Sequence, residues 1–107
     1  MYCFADILII NFPFSNGQGS KRRPVLVIKD TMDNDILVAK VTSQPYTAKF
    51  DIALQDWKQA GLLAPSVIRV HKIQTLYTSL ILGQIGRLTQ VDSKSVRKSL
   101  KDLIENL

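Results

Sequence analysis

The chain has 107 residues, 46% hydrophobic and 21% charged, with 14 Lys and Arg against 9 Asp and Glu for a formal net charge of +5. Such a length builds one domain, residues 1–107, and the composition excludes extended disorder while the surplus of cations favours a polyanionic partner. Apolar runs such as Ile7-Leu8-Ile9-Ile10 fall far short of the roughly 18 residues a membrane-spanning helix needs, no secretory leader pattern opens the chain, and the single cysteine, Cys3, forms no internal disulfide, so a cytoplasmic protein without a membrane partner is expected.

From Ala5 to Val70 short apolar runs are cut by turn formers, the pattern of a small barrel or sandwich. Strands are expected near Asp6–Phe12, Arg23–Lys29, Asp35–Thr42 and Lys49–Leu54. Between the first two, Asn16-Gly17-Gln18-Gly19-Ser20 is a turn-rich loop, and Lys21-Arg22-Arg23 follows it directly into Pro24-Val25-Leu26-Val27-Ile28. Cations mounted there at a sheet rim can grip a phosphate; a solvated strand edge reads the same way. Asp33-Asn34-Asp35 suits a tight connection, without calcium-loop spacing around it. Asp56-Trp57-Lys58-Gln59-Ala60-Gly61 reads as one helical turn stopped by glycine, with Trp57 plugging a barrel end. Further strands are expected around Ser66–His71, Lys72–Leu76 and Ser79–Ile85.

The tail changes period. Val96, Leu100, Leu103, Ile104 and Leu107 share a band about 100° wide on a helical wheel, with Lys94, Arg97, Lys98 and Lys101 beside it, so an amphipathic helix from Asp92, its expected N-cap, packs on the barrel. Its basic face either touches nucleic acid or is simply solvated.

Four polar groups can be brought together by strand geometry: Arg23, Thr42, Arg69 and His71. In an extended segment Arg69 and His71 project from one face, about 7 Å apart, while Ile68 and Val70 turn to a core. Ordinary exposed strand residues would show the same spacing. Thr42-Ser43-Gln44-Pro45 ends the third strand with two hydroxyls and an amide, which either bond the local backbone or donate to a phosphate oxygen. No glycine-rich phosphate loop, histidine pair or acidic cluster is present, so neither a cofactor nor a metal is expected. Cys3 carries no sign of activation and reads as a small apolar residue.

Four stretches together resemble the MazF/PemK toxins of type II toxin–antitoxin systems: Asp6–Phe14, Gly19–Val27 with its Arg23-Pro24, Val41-Thr42-Ser43-Gln44, and Pro65–Arg69 followed by Ile73-Gln74-Thr75. The resemblance implies a mainly β fold, an SH3-like small barrel with a C-terminal helix packed on it. It further implies a homodimer that cuts single-stranded messenger RNA without metal and is inhibited by a cognate antitoxin. Arg23 then matches the arginine of the Arg-Pro motif, Thr42 the active-site threonine, and Arg69 a second arginine used as acid or electrostatic clamp. Two residues beyond, where some members carry an acid, stands His71, which leaves the identity of the general base open.

These residues suit the chemistry. Cleavage by the ribose 2′-hydroxyl needs a base for its proton, help for the leaving oxygen and cations for the phosphorane charge. Arginine's planar fork binds phosphate at two points and keeps its charge, and imidazole exchanges protons in the neutral range. Arg23 and Arg69 are therefore assigned to the scissile phosphate, Thr42 to an oriented donor and His71 to proton transfer, leaving 2′,3′-cyclic phosphate and 5′-hydroxyl ends. Lys21, Arg22, Ser43, Gln44 and Tyr46 are candidate RNA contacts, Tyr46 by stacking on a base. The motif cut depends on the loops Phe14–Ser20 and Pro45–Phe50. Two other functions fit the same chain: a non-catalytic nucleic-acid-binding barrel, or a gyrase-directed toxin on a related fold.

Overall fold

The Ile, Leu and Val runs in the first half of the chain are apolar on both sides of the extended backbone, which suits strands buried on both faces. The computed structural model, which describes residues 1–13 and 16–107, uses them that way. Phe14 and the start of the Phe14–Ser20 loop lie outside the described residues. The strands are β1 (Asp6–Pro13), β2 (Ser20–Asp30), β3 (Asp35–Thr42), β4 (Asp51–Ala53), β5 (Val67–Tyr77) and β6 (Ile81–Arg87), followed by the helix α1 (Gln90–Glu105). They form one antiparallel sheet in the order β4-β5-β3-β2-β1-β6, coiled into a barrel-like body. This is the expected mainly β barrel with a C-terminal helix.

Alternate side chains feed two apolar clusters. One holds Ile7, Leu26, Ala39, Val41, Ile68 and Val70, and Trp57 and the helix residues Val96 and Leu100 pack into it. The other, from the opposite sides of the same strands, holds Leu8, Ile10, Val25, Val27, Ile36 and Val38, with Tyr2, Phe12 and Leu80 packed against it. The second cluster is the floor on which the polar groups described below stand.

No ladder joins the edge strands β4 and β6. The seam is filled by the segment after β4, where Ala60 N–H donates to Asp56 and Leu62 N–H to Trp57, both at 3.1 Å. These bonds make the expected single helical turn, stopped by Gly61, whose N–H donates to Lys58, and lay Ala60-Gly61 against Ile85-Gly86 of β6. A Cβ on Gly61 would run into the carbonyl of Ile85, and one on Gly86 into the carbonyl of Ala60; Gly61 also takes φ +90°. Backbone here approaches backbone so closely that only glycine fits.

Several boundaries differ from expectation: β2 opens at Ser20, which puts Lys21 and Arg22 on the strand and not on the loop before it, and β6 runs over Ile81–Arg87, two residues later than expected. The two strands expected over Ser66–His71 and Lys72–Leu76 are one, β5, with a bulge where Val70, His71 and Lys72 have no partner on β3: Arg69 pairs with Lys40 and Ile73 with the adjacent Ala39, while Val70 N–H donates to Phe50. A bulge bends a strand without ending it. The strand expected over Lys49–Leu54 shrinks to Asp51–Ala53, because the short chain before it is looped back by Ala48 N–H bonding the Asp51 carboxylate at 2.9 Å.

The helix begins earlier than Asp92, with Thr89 as N-cap. Asp92, 1% exposed, instead accepts the N–H groups of Gln55 and Asp56 at 3.0 and 2.9 Å, tying α1 to the seam. A buried carboxylate is stabilised by such bonds, and here two outweigh a capping role that threonine fills. Val96 is fully buried as expected, whereas Ile104 and Leu107 at the far end are 55% and 100% exposed, beyond the reach of the sheet.

Candidate functional site

Register decides which side chains share a face. Asp51 of β4, Arg69 of β5, Lys40 of β3, Val25 of β2 and Leu8 of β1 form one row across five strands. Two residues along on the same face, Ala53 pairs with Val67 and Val67 with Thr42. Continued by two residues, the β2–β3 register sets Arg23, itself paired with Ile10, across from Thr42. Rows on one face lie about 7 Å apart and strands just under 5 Å, so Arg23, Thr42, Lys40 and Arg69 are near neighbours.

Beside Arg23 the face is hollowed into a groove of about 610 Å³. Lys21, Arg23, Lys40 and Lys72 line it, and no carboxylate does among the described residues. None of these four cations has an ion-pair partner there; the pairs found are Arg69 with Asp51 and Arg87 with Asp6. The floor is apolar, with Val25 and Val38 at 4% and 2% exposure. Thr42, Arg69 and His71 stand outside its lining. Arg22, between Lys21 and Arg23 on β2, points to the other face by alternation, and Ser43, Gln44 and Tyr46 lie in the exposed loop after β3.

Thr42 is half-buried and its Oγ1 accepts the N–H of Gln44 at 3.2 Å. This is the local backbone bond such residues usually make, and it orients the hydroxyl while leaving its proton free to donate. Arg69 is held more firmly. Its Nε and Nη2 donate to the two oxygens of Asp51 at 2.9 and 3.4 Å, and the ring of Tyr46 lies 3.7 Å from its guanidinium carbon. The side chains are 13% and 0% exposed, so the pair is a buried one, with Nη1 the guanidinium nitrogen free of Asp51. Burial works to raise the Asp51 carboxyl; the hydrogen bonds and charge of Arg69, the N–H of Ala48 and the nearby His71 outweigh it and hold it below its ordinary 3.8.

His71 lies in the β5 bulge. It and Arg69 turn away from the core that takes Ile68 and Val70, both 0% exposed. Its ring sits 6.3 Å from that of Phe50, and its Nδ1 is buried without a hydrogen-bond partner. The structure therefore pairs Arg69 with Lys40 and places Arg23 and Thr42 on the same face, past the end of the β2–β3 ladder, with His71 near Phe50 and outside the groove lining. Among the described residues no group of three or more His, Cys, Asp and Glu side chains is arranged to hold a metal, and no helix is long and apolar enough to cross a membrane.

Sequence reasoning missed Asp51, Lys40, Lys72 and Gln74. Asp51 is 18 residues from Arg69, and only the β4–β5 register reveals the pair. Lys72 sat at a presumed break between strands, where its direction was unreadable.

The structure is similar to that of an endoribonuclease from a Mycobacterial species in complex with its cognate antitoxin, at 12% identity and TM-score 0.79, covering 98% of this chain and 96% of that one. It is similar to a chain of the MazE–MazF complex from Deinococcus radiodurans, at 19% identity and TM-score 0.79 over 97% and 96%. The Mycobacterium tuberculosis toxin MazF-mt6 matches at 20% identity and TM-score 0.71 over 92% and 96%. At these identities the likeness speaks to the fold. No curated protein matches the chain by sequence. The profile of the PemK-like, MazF-like toxins of type II toxin–antitoxin systems matches residues 4–104, nearly the whole length, and the chain belongs to that family.

Proposed function

We propose that this chain, acting over residues 1–107 as one toxin domain, is a metal-independent, sequence-specific endoribonuclease that cuts single-stranded messenger RNA in the cytoplasm and is silenced by a cognate antitoxin. The observation that carries the reading is the groove lined by Lys21, Arg23, Lys40 and Lys72, unpaired and with no acid among the described residues, on the sheet face that also carries Thr42. A polyanion with one phosphate seated between Arg23 and Thr42 satisfies that arrangement. Family membership and the endoribonuclease relatives support the same reading.

The scissile phosphate accepts from the Arg23 guanidinium and the Thr42 hydroxyl, and Arg69 adds its free Nη1 while Asp51 and Tyr46 hold the rest of the side chain still. The ribose 2′-oxygen attacks phosphorus as the 5′-oxygen of the next nucleotide leaves. The 2′-hydroxyl proton passes to His71 through Nε2, the nitrogen left open when Nδ1 is buried, and water protonates the leaving oxygen. A 2′,3′-cyclic phosphate and a 5′-hydroxyl result. Preorganised cations of this kind typically contribute a hundredfold or more in rate. Lys21, Ser43, Gln44 and Tyr46 contact the strand on either side, Arg22 lying on the other face of β2, and the working unit is a homodimer.

Incubation with single-stranded RNA in EDTA, with sequencing and end-group analysis of the fragments, tests the reading. Cleavage is expected in the wild type, and Arg23→Ala should lose at least about 100-fold in rate with the fold intact by circular dichroism. Full activity in Arg23→Ala removes its assigned role. Tight binding without cleavage would make the chain a binding module, and inert RNA with gyrase inhibition would make it a gyrase toxin.

A further inference from the structure

We propose that the groove beside Arg23 seats one nucleotide flanking the cut and selects a keto base, guanine or uracil, over an amino base, adenine or cytosine, through Lys40, Lys72 and Gln74. The location relative to the cut rests on the cleavage reading above; the base preference does not.

At about 610 Å³ the hollow is far larger than a phosphate requires and falls within the range of small-ligand sites. Its floor is apolar, with Val25 and Val38 nearly fully buried and Ile73 half-buried. The wall comes from β5, where Lys72 ends the bulge and Ile73 and Gln74 follow in the ladder, Gln74 across from Val38. Lys40 faces it from β3, across from Val25.

The chemistry of that wall is one-sided. An ammonium donates three N–H groups and accepts none, and no carboxylate in the lining offsets Lys40 or Lys72. Guanine and uracil both present a carbonyl oxygen next to a ring N–H. Adenine and cytosine present an amino group next to a bare ring nitrogen, the reverse pattern. An ammonium gives the keto oxygen a charge-assisted hydrogen bond, and the Gln74 side-chain carbonyl accepts the adjacent ring N–H. With an amino base the ammonium meets the amino group donor to donor while the Gln74 amide turns over to donate to the bare ring nitrogen, so the charge-assisted bond lost by the ammonium carries the discrimination, about tenfold or more. Single-stranded RNA exposes these edges for such readout.

Fluorescence anisotropy with uncleavable 2′-fluoro oligouridine and oligocytidine isolates this pattern, since the two bases differ only there. The wild type should bind oligouridine about tenfold more tightly. Lys72→Met and Gln74→Leu, both at exposed positions, should fold by circular dichroism; Lys72→Met should bring the ratio close to one and Gln74→Leu should weaken binding of both oligomers. Equal affinity of the wild type for the two oligomers overturns the proposal, as does a preference that survives Lys72→Met. A protein that prefers uridine and fails to cut RNA sinks the nuclease reading and leaves this one standing; a nuclease blind to the two bases does the opposite.

Discussion

Arg69, expected as a second arginine at the phosphate, has its guanidinium bound on one edge by Asp51 and stacked by Tyr46. Removing one member of a buried ion pair leaves the other charge without compensation, so Asp51→Ala should cost about 3 kcal/mol of stability, near the low end for such pairs because Arg69 can swing toward water. The pH dependence follows from the carboxyl being held below its ordinary 3.8 in the folded protein. Stability from a depressed carboxyl is fully present above the unfolded value and is lost as pH falls through the folded one. The gap between wild type and Asp51→Ala in urea denaturation should therefore be largest at neutral pH and narrow below about pH 4; a gap constant down to pH 2 would mean that the carboxylate charge is immaterial. At this scale the sequence disclosed the Arg-Pro motif, the Thr-Ser-Gln strand end and the shared direction of Arg69 and His71, because each depends on neighbours in the chain. Asp51 opposite Arg69, and Lys72 turned into the groove, depend on cross-strand register, which local pattern does not carry.

At the scale of elements, the seam between β4 and β6 is the most exacting contact. Gly86→Ala would drive a methyl group into the Ala60 carbonyl, and the backbone on either side is fixed by the turn hydrogen bonds and by Asp92. The expected loss is about 2 kcal/mol, or roughly 10 °C in thermal midpoint for a chain of this size, measured by scanning calorimetry. Gly83→Ala, where a methyl group meets open space, is the control and should change the midpoint little. The strands of β1 to β3 were legible from their apolar runs, and Asp35–Thr42 was read with its observed ends. The helix was legible from its period, but its first turn was not: Thr89 and Asp92 are both sound caps by composition, and the N–H groups of Gln55 and Asp56, 37 and 36 residues from Asp92, decide between them.

Over the whole molecule the positive charge is divided between the groove and the outer face of α1, where Lys94, Lys98 and Lys101 are exposed and Arg97 stacks on Phe4 at 4.5 Å. Binding of single-stranded RNA should weaken with salt, with log K falling by about 0.7 per phosphate contact for each unit of log salt. If Lys21 and Arg23 hold phosphates while Lys40 and Lys72 read a base, the groove contributes a slope of about −1.4, against about −2.8 if all four hold phosphates. Arg23→Ala should make the measured slope shallower by about 0.7 and Lys72→Met should leave it unchanged. A salt titration of both variants by anisotropy separates these outcomes.

The three residues of β5 without a partner on β3 give this sheet slack at one place only along that strand. Pairing with β3 resumes on both sides, so exchanges at Val70–Lys72 can reshape one wall of the hollow while the ladders that hold the body together stay in phase, at little cost to folding.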